Sequence, residues 1–396
     1  MLDFAKLMSQ LENVGTDALT DGAGEDLVNT LQEVFHDACE NSGEFAEALR
    51  DSESFTFWPL AYPLETFGEL HQLQPYTGSH TVVAVDGSQI MPSHHEVYSC
   101  YLINLGKAII SYGDKSPVVL ESTPLLFHNM EDLYPLMDKR RVHVDDLFVG
   151  MERNLLELSR LRDLSLEAAN SRALPLVALV DGSLIQWSLD KMPENYQSRY
   201  VERLTMMLDS FRQNRIPLIG YISHSRSSDL VNALRVWHCP YDFSDCRRLC
   251  GHLHEEEYPC STIWPSTDRQ AIAPNLPRHN RGAIFASGVL KGPSIPDHDR
   301  VCFTYLNVGQ ETARIEMPRW LAEDSDLRDT ALQMVLAQTN KGAGYPICLA
   351  EAHNMAVIRA ADRSKFFQLV SRHLIELGIA KVRVSPKETG KRRGIV

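Results

Sequence analysis

The chain has no apolar run near the roughly 18 residues that a membrane span requires, and Met1-Leu2-Asp3-Phe4-Ala5-Lys6 lacks a basic region followed by an apolar one. Both absences lead us to expect a cytoplasmic protein that does not associate with membranes. It also lacks a surplus of basic residues: 39 Lys and Arg stand against 52 Asp and Glu, a formal charge of −13. Proteins that coat nucleic acid non-specifically neutralise phosphates with excess cations. The balance argues against that class but leaves open an enzyme whose site is built from acids. No tandem repeat and no low-complexity tract occurs, and the cysteines include no Cys-x2-Cys pair of the common zinc-ribbon kind.

What remains is an ordinary globular composition, 44% apolar and 23% charged over 396 residues, enough for one large domain or two. Residues 1 to about 50 carry apolar positions at helical spacing, Phe4, Leu7, Met8 and Leu11, then Leu27, Leu31, Val34 and Phe35 after a Gly-containing break. Pro59, Pro63, Pro75 and Gly78 mark a linker. This gives an N-terminal helical region and linker over 1–77 and a second domain over 78–396. Strands are expected at 82–86, 97–104 and 107–112, the last two joined by a hairpin at Leu105-Gly106. A long amphipathic helix follows over about 144–170, then a strand ending at Asp181, a helix over 196–212, a strand over 217–222 and a helix over 229–236. That order predicts an α/β domain with a mixed sheet flanked by helices. Residues 239–300 read as an irregular Cys-rich insertion. Regularity returns with paired strands at 301–307 and 313–317 and helices at 327–338 and from Ala350, before a basic tail over 381–396.

Two of the strands end in the same tripeptide. Thr81 to Val85 runs into Asp86-Gly87-Ser88, and Pro175 to Val180 runs into Asp181-Gly182-Ser183. Each apolar run delivers a carboxylate to its tip, where a glycine lets the chain turn away. Asp and Gly are ordinary turn formers, but ligand sites in α/β sheets favour the C-terminal strand edges, and two such acids suit one metal ion. A metal that activates water prefers several hard oxygen ligands, so a third acid is expected on the helix before Asp181. Six strand residues span roughly 20 Å, which a helix covers in roughly 13 residues. Counting back from a helix end near Asn170 reaches Glu157, with Glu152 one to two turns beyond as the reserve.

In the C-terminal half, His353 opens an apolar helix and suits a metal ligand, a phosphate contact, a proton carrier or a plain capping residue. Of the eight cysteines, Cys239, Cys246, Cys250 and Cys260 fall within 22 residues, where the chain-wide density gives fewer than one. In a cytoplasmic chain reduced thiols or metal ligands are expected rather than disulfides, and four thiolates suit a structural Zn²⁺ or an iron-sulfur cluster.

The Asp-Gly-Ser strands, the strand 301–307 followed by Ala313-Arg314-Ile315-Glu316-Met317-Pro318, and Tyr345 ahead of His353 together resemble the NurA family over roughly residues 78–360. The resemblance implies an RNase H-like fold in which Asp86, Glu157 and Asp181 hold Mn²⁺ or Mg²⁺, with Tyr345 and His353 as the family's Tyr and His. It implies a DNA double-strand-break repair nuclease of the 5′–3′ exonuclease and single-strand endonuclease type. Its DNA substrates would be single-stranded and double-stranded ends, resected as a ring-shaped homodimer fed by a HerA-type hexameric ATPase. It also implies a DNA phosphate contact at Arg226, although Arg226 and His224 equally suit caps of the helix that follows. Two rivals keep the same residues: a non-catalytic DNA-binding or regulatory subunit working through a Cys-bound metal, and an RNase H-like resolvase.

Overall fold

The computed structural model describes residues 3–11, 22–92, 98–113, 115–172, 174–288 and 295–378. The basic tail 381–396 and the start of the expected strand at Val97 lie outside the described residues. The chain forms two compact units. One comprises Met1–Leu73, Ile222–Leu290 and Cys302–Ile315, the other Gln74–Tyr221, Lys291–Val301 and Glu316–Val396.

The second unit is built on five strands, β1 (His80–Ile90), β2 (Tyr101–Tyr112), β3 (Val119–Phe127), β4 (Leu176–Asp181) and β5 (Leu218–Ile222). Helix α1 (Asp146–Arg172) connects β3 to β4, and α2 (Glu194–Gln213) connects β4 to β5. The spatial order is β3-β2-β1-β4-β5. β1, β2 and β3 form an antiparallel meander, while β4 runs parallel to β1 and β5 parallel to β4. Parallel neighbours need a long crossover, which α1 and α2 provide. This is the RNase H-like mixed sheet flanked by helices.

The sequence explains the layering. Thr81 to Val85 is buried without interruption, as befits a central strand covered on both faces. On one face α1 lays down Met151, Leu155, Leu158, Leu161 and Leu164, which share a core with Tyr200, Leu204 and Leu208 of α2. Burial of each such side chain stabilises by about 1.5–3 kcal/mol. Against β1 and β2 also lies α4 (Ile347–Ala356), entered from α3 (Ser325–Lys341) through a tight turn. Gly106 of β2 makes this approach possible: a Cβ there would collide with the Ala352 carbonyl and the Ala356 amide.

Three expectations need correction. Leu105-Gly106 is no hairpin turn, because β2 runs unbroken from Tyr101 to Tyr112; the glycine serves helix packing instead. The third strand is therefore Val119–Phe127, whose mostly exposed residues and Pro124 carry no strong strand signal. Likewise β1 does not end at Asp86 but continues four residues to Ile90, so Gly87 makes no turn.

In the first unit the helices Gly22–Glu40 and Ser42–Ser52 bury Leu31, Phe35, Phe45 and Leu49 with Leu230 and Leu234 of the helix Asp229–Trp237 and with Phe285 and Phe303. Arg314, fully buried, pairs with Asp229 at 3.0 Å, and the Tyr305 hydroxyl donates to Asp268 at 2.7 Å. Residues 239–288 are irregular, with only short helical turns such as Cys246–Leu249 and Asp268–Ile272 and two strand fragments. No helix among the described residues is long and apolar enough to cross a membrane.

Candidate active site

The register between β1 and β4 pairs Val85 with Val180, so the next residues, Asp86 and Asp181, leave two neighbouring strands side by side. Asp86 sits inside a continuous strand and is opposed by Gly106 of β2. Asp181 is the last residue of its strand. Beyond it Gly182 takes a φ of 111°, a conformation that suits glycine, and the chain turns. The turn is tied down by Glu316, whose buried carboxylate accepts hydrogen bonds from the Ser183 hydroxyl and the Leu184 amide, both at 2.8 Å.

Glu157 reaches the same place from α1. Gly87 allows it: a side chain there would collide with the Glu157 carboxylate and meet Arg153 Cγ at 3.0 Å. Glu157 lies 3.1 Å from the Arg153 guanidinium, its partner one helical turn earlier, while Arg153 also donates to Gln89 at 2.7 Å. Burial pushes the Glu157 carboxyl up to about 8; Arg153 opposes this and the charges of Asp86 and Asp181 add to it. The atom facing the guanidinium is Glu157 Oε1, which is buried and accepts no hydrogen bond of good geometry. Glu152 is elsewhere engaged, accepting from the Tyr196 hydroxyl at 2.9 Å and pairing with Arg203 at 3.0 Å.

The helix α4 brings in His353, which stands in its last turn and does not open a helix as expected, and whose Nδ1 lies 2.8 Å from Asp86 Oδ2. The end of that helix is fixed to β1 and β2, because Ser88 and the Asn104 amide both donate to the Ala356 carbonyl. Tyr345, in the turn before α4, hydrogen-bonds Asp181 and packs edge-on against Tyr221 with ring centres 5.5 Å apart. Asp181 is exposed at its strand tip, yet the atoms crowding its base limit hydration and raise its carboxyl above the usual range. Tyr345 counters that rise, Asp86 adds to it and His353 opposes it. Asp86, Glu157, Asp181, Tyr345 and His353 thus come together from β1, α1, β4 and α4 with its preceding turn. A cavity of about 380 Å³ opens beside them, lined by Glu157, Asp181, Ser183, Asn154 and Trp187.

Three carboxylates crowd here with one guanidinium, and the buried Glu157 Oε1 faces only that guanidinium, without a hydrogen bond of good geometry. This donor set fits a hard divalent cation such as Mn²⁺ or Mg²⁺. Among the described residues no three His, Cys, Asp or Glu side chains already converge on one point at ion-holding distance. A hard ion held by one or two carboxylates is completed by water and substrate phosphate, so this spacing is compatible with the fit.

The other sequence candidates lie in the first unit. Arg226 is exposed and lines a cavity of about 620 Å³ with Phe57, Trp58 and Trp264. His224 is held through its ring to Arg269 at 2.9 Å and through its backbone amide to Glu311 at 3.0 Å. Cys239, Cys246, Cys250 and Cys260 are all free thiols, and all four line one small cavity.

Arg153 and Glu316 were not legible as site residues. Arg153 carries a weak local signal, a cation four residues before an acid on a helix. Glu316 stands in the motif Ala313 to Pro318 that carries the family resemblance, but no local signal assigns it to the site, since its partners lie more than 130 positions away in sequence.

The NurA domain family matches residues 80–358 of the chain. Among solved structures, the chain is similar to the NurA nuclease from Sulfolobus solfataricus at 14% identity, with 88% of this chain and 96% of that one covered and a TM-score of 0.46. It is similar to a NurA bound to dAMP and manganese at 14% identity, covering 90% and 96% with a TM-score of 0.35. A third is the catalytic domain of human Endonuclease V, at 13% identity, 76% and 92% coverage and a TM-score of 0.30. No curated protein matches the chain.

Proposed function

The chain belongs to the NurA family, which makes it a nuclease, and we propose that it is a metal-dependent deoxyribonuclease using Asp86, Glu157 and Asp181 to hold one or two Mn²⁺ or Mg²⁺ ions. The observation that carries this reading is the state of Glu157. Its carboxyl is pushed up to about 8 by burial, with Asp86 and Asp181 adding to the rise, and its buried Oε1 has the Arg153 guanidinium at 3.1 Å as an ion-pair partner but accepts no hydrogen bond of good geometry. Such a cluster is costly when fully ionised, and a divalent cation offsets that cost. When bound, the ion supplies Lewis-acid polarisation of the phosphodiester and a water of lowered pKa.

The remaining roles belong to the chain itself. Asp86, fixed inside β1, orients the His353 ring through Nδ1. His353 is exposed and keeps Nε2 for a phosphate oxygen or a proton. Tyr345 holds Asp181 in place, and Glu316 fixes the turn behind it. The cavity beside Glu157 and Asp181 has room for part of a nucleotide. Arg226, within the first unit, is proposed as a DNA phosphate contact in its own right.

DNA is the substrate of this reading, as single-stranded and double-stranded ends. Cleavage of the 5′–3′ exonucleolytic and single-strand endonucleolytic type would serve resection of double-strand breaks in the cytoplasm. The partners are a second copy of the chain and a HerA-type hexameric ATPase. End-labelled DNA incubated with Mn²⁺, Mg²⁺ or EDTA tests the chemistry. Shortening in either metal, loss in EDTA, and loss in a folded Asp86→Ala variant are expected. Full activity of that variant, or cleavage in EDTA, refutes the assignment.

A further inference from the structure

The nuclease reading leaves unused the four cysteines of the first unit. They come from three different pieces of chain. Cys239 follows the helix Asp229–Trp237, Cys246 and Cys250 stand one turn apart on and just after the short helix Cys246–Leu249, and Cys260 precedes the turn Ser261–Ile263. The Cys250 amide donates to the Cys246 carbonyl at 2.9 Å, which sets these two on one helical face. Cys250 and Cys260 are buried, and Cys239 and Cys246 are half-buried. No element of regular structure requires a thiol at any of these positions, yet all four line one small cavity.

A second observation points into the same cavity. Arg235, on the helix Asp229–Trp237, is 2% exposed and lines it. Its Nη1 donates to Glu255 at 2.8 Å and its guanidinium carbon lies 3.8 Å from the centre of the Trp58 ring. Its Nε and Nη2, however, are buried without any hydrogen-bond partner. Two orphaned N–H groups on a buried cation are costly unless an anion accepts them. Neutral thiols are weak acceptors and do not meet that demand. Four thiolates around a soft metal do: a Zn²⁺ with four thiolates carries two net negative charges, and so does an oxidised four-iron cluster held the same way.

We propose that Cys239, Cys246, Cys250 and Cys260 ligate a thiolate-bound metal centre in the first unit, with Arg235 as its buried counter-charge. The chemistry shared by its two possible occupants, zinc or an iron-sulfur cluster, is a dianionic set of sulfurs shielded by Trp58, Tyr241 and Tyr258. The four thiols line the cavity without converging at the spacing of a single ion, so binding tightens the loops that carry them and links the helix Asp229–Trp237 to the segment around Cys260. The centre is independent of the carboxylate site, which belongs to the other unit and to hard oxygen chemistry.

The test is elemental and sulfide analysis of the full chain, purified without oxygen and without added metal, with its visible absorption spectrum. Iron with acid-labile sulfide and broad visible absorption identifies the cluster; one zinc per chain with no colour identifies the ion. Either supports the proposal, provided the metal is lost from Cys246→Ser/Cys250→Ser, kept in Cys39→Ser and kept in Asp86→Ala. Arg235→Met is expected to release the metal to a chelator at least about tenfold faster. Should the double cysteine variant not fold, thiol titration of the wild type decides: four thiols protected before chelation and reactive after it support the centre. A chain that holds neither metal after incubation with Zn²⁺ or with iron and sulfide, or that holds it equally well without Cys246 and Cys250, overturns it.

Discussion

Glu157→Gln offers a test of the electrostatics that does not depend on any enzymatic turnover. The folded protein holds this carboxyl at about 8, against an ordinary value of 4.5. A group whose pKa is raised by folding contributes stability that is complete below the unfolded value and is lost as pH rises through the folded one. Glu157 therefore makes the metal-free protein less stable as pH climbs from about 4.5 to about 8. From pH 5.5 upward that interval is about 2.5 units, and at about 1.4 kcal/mol per unit the loss is about 3 kcal/mol. Only 18% of the side chain is exposed, so solvent screening removes little of it. Glutamine keeps the shape and cannot ionise. Urea unfolding in EDTA at pH 5.5 and pH 8.5 is expected to show the wild type losing about 3 kcal/mol more than the variant across that range. With saturating Mn²⁺ the wild type should recover most of the deficit and the variant little, since the cation favours the ionised carboxylate. Parallel pH dependence in the two proteins, or recovery of equal size in both, would refute the claim that Glu157 is the strained member of a metal site.

Two further substitutions follow from the packing. Gly106→Ala places a methyl group against the Ala352 carbonyl and the Ala356 amide; it should cost about 2–3 kcal/mol in thermal or urea unfolding and lower cleavage by displacing His353 from Asp86. Glu316→Ala removes the acceptor that fixes Ser183 and Leu184; a loss of about 1–3 kcal/mol should accompany a fall in kcat larger than any change in KM, with partial rescue by Glu316→Gln.

The parts of the fold that were legible are those whose signal is local. The apolar runs 81–85 and 175–180 announce β1 and β4, and the leucine stripe announces α1. Glu157 was reachable because strand rise and helix rise fix how far back along α1 the chain must go to return to the tip of β4. What failed were positions whose meaning is a distant neighbour. Gly106 looked like a turn because no sequence window contains Ala352. Gly87 looked like a strand exit because nothing nearby says that Glu157 needs the space. Strand β3 is half-polar at the sheet's edge and carries no buried face to give it a period. Tyr345 was found only through family resemblance, since a tyrosine ahead of a helix has no chemical signature of its own.

The continuation of β1 beyond Asp86 separates the two aspartates by how the fold places them. Asp86 is paired with Gly106 of β2 in a ladder that continues to Ile90, while the pairing with β4 ends one residue earlier, at Val85 and Val180, so amides around Asp86 exchange with solvent only when the β1–β2 ladder opens. Asp181 stands at a strand tip, followed by a glycine turn held by one carboxylate. Its own ladder partner is Tyr221 of β5, and the Gly182 amide donates to the Tyr221 carbonyl at 3.0 Å. One aspartate is thus placed by an unbroken strand, and the other by what meets it at a strand end: Tyr221 of the neighbouring strand, the Tyr345 hydroxyl and the turn that Glu316 holds.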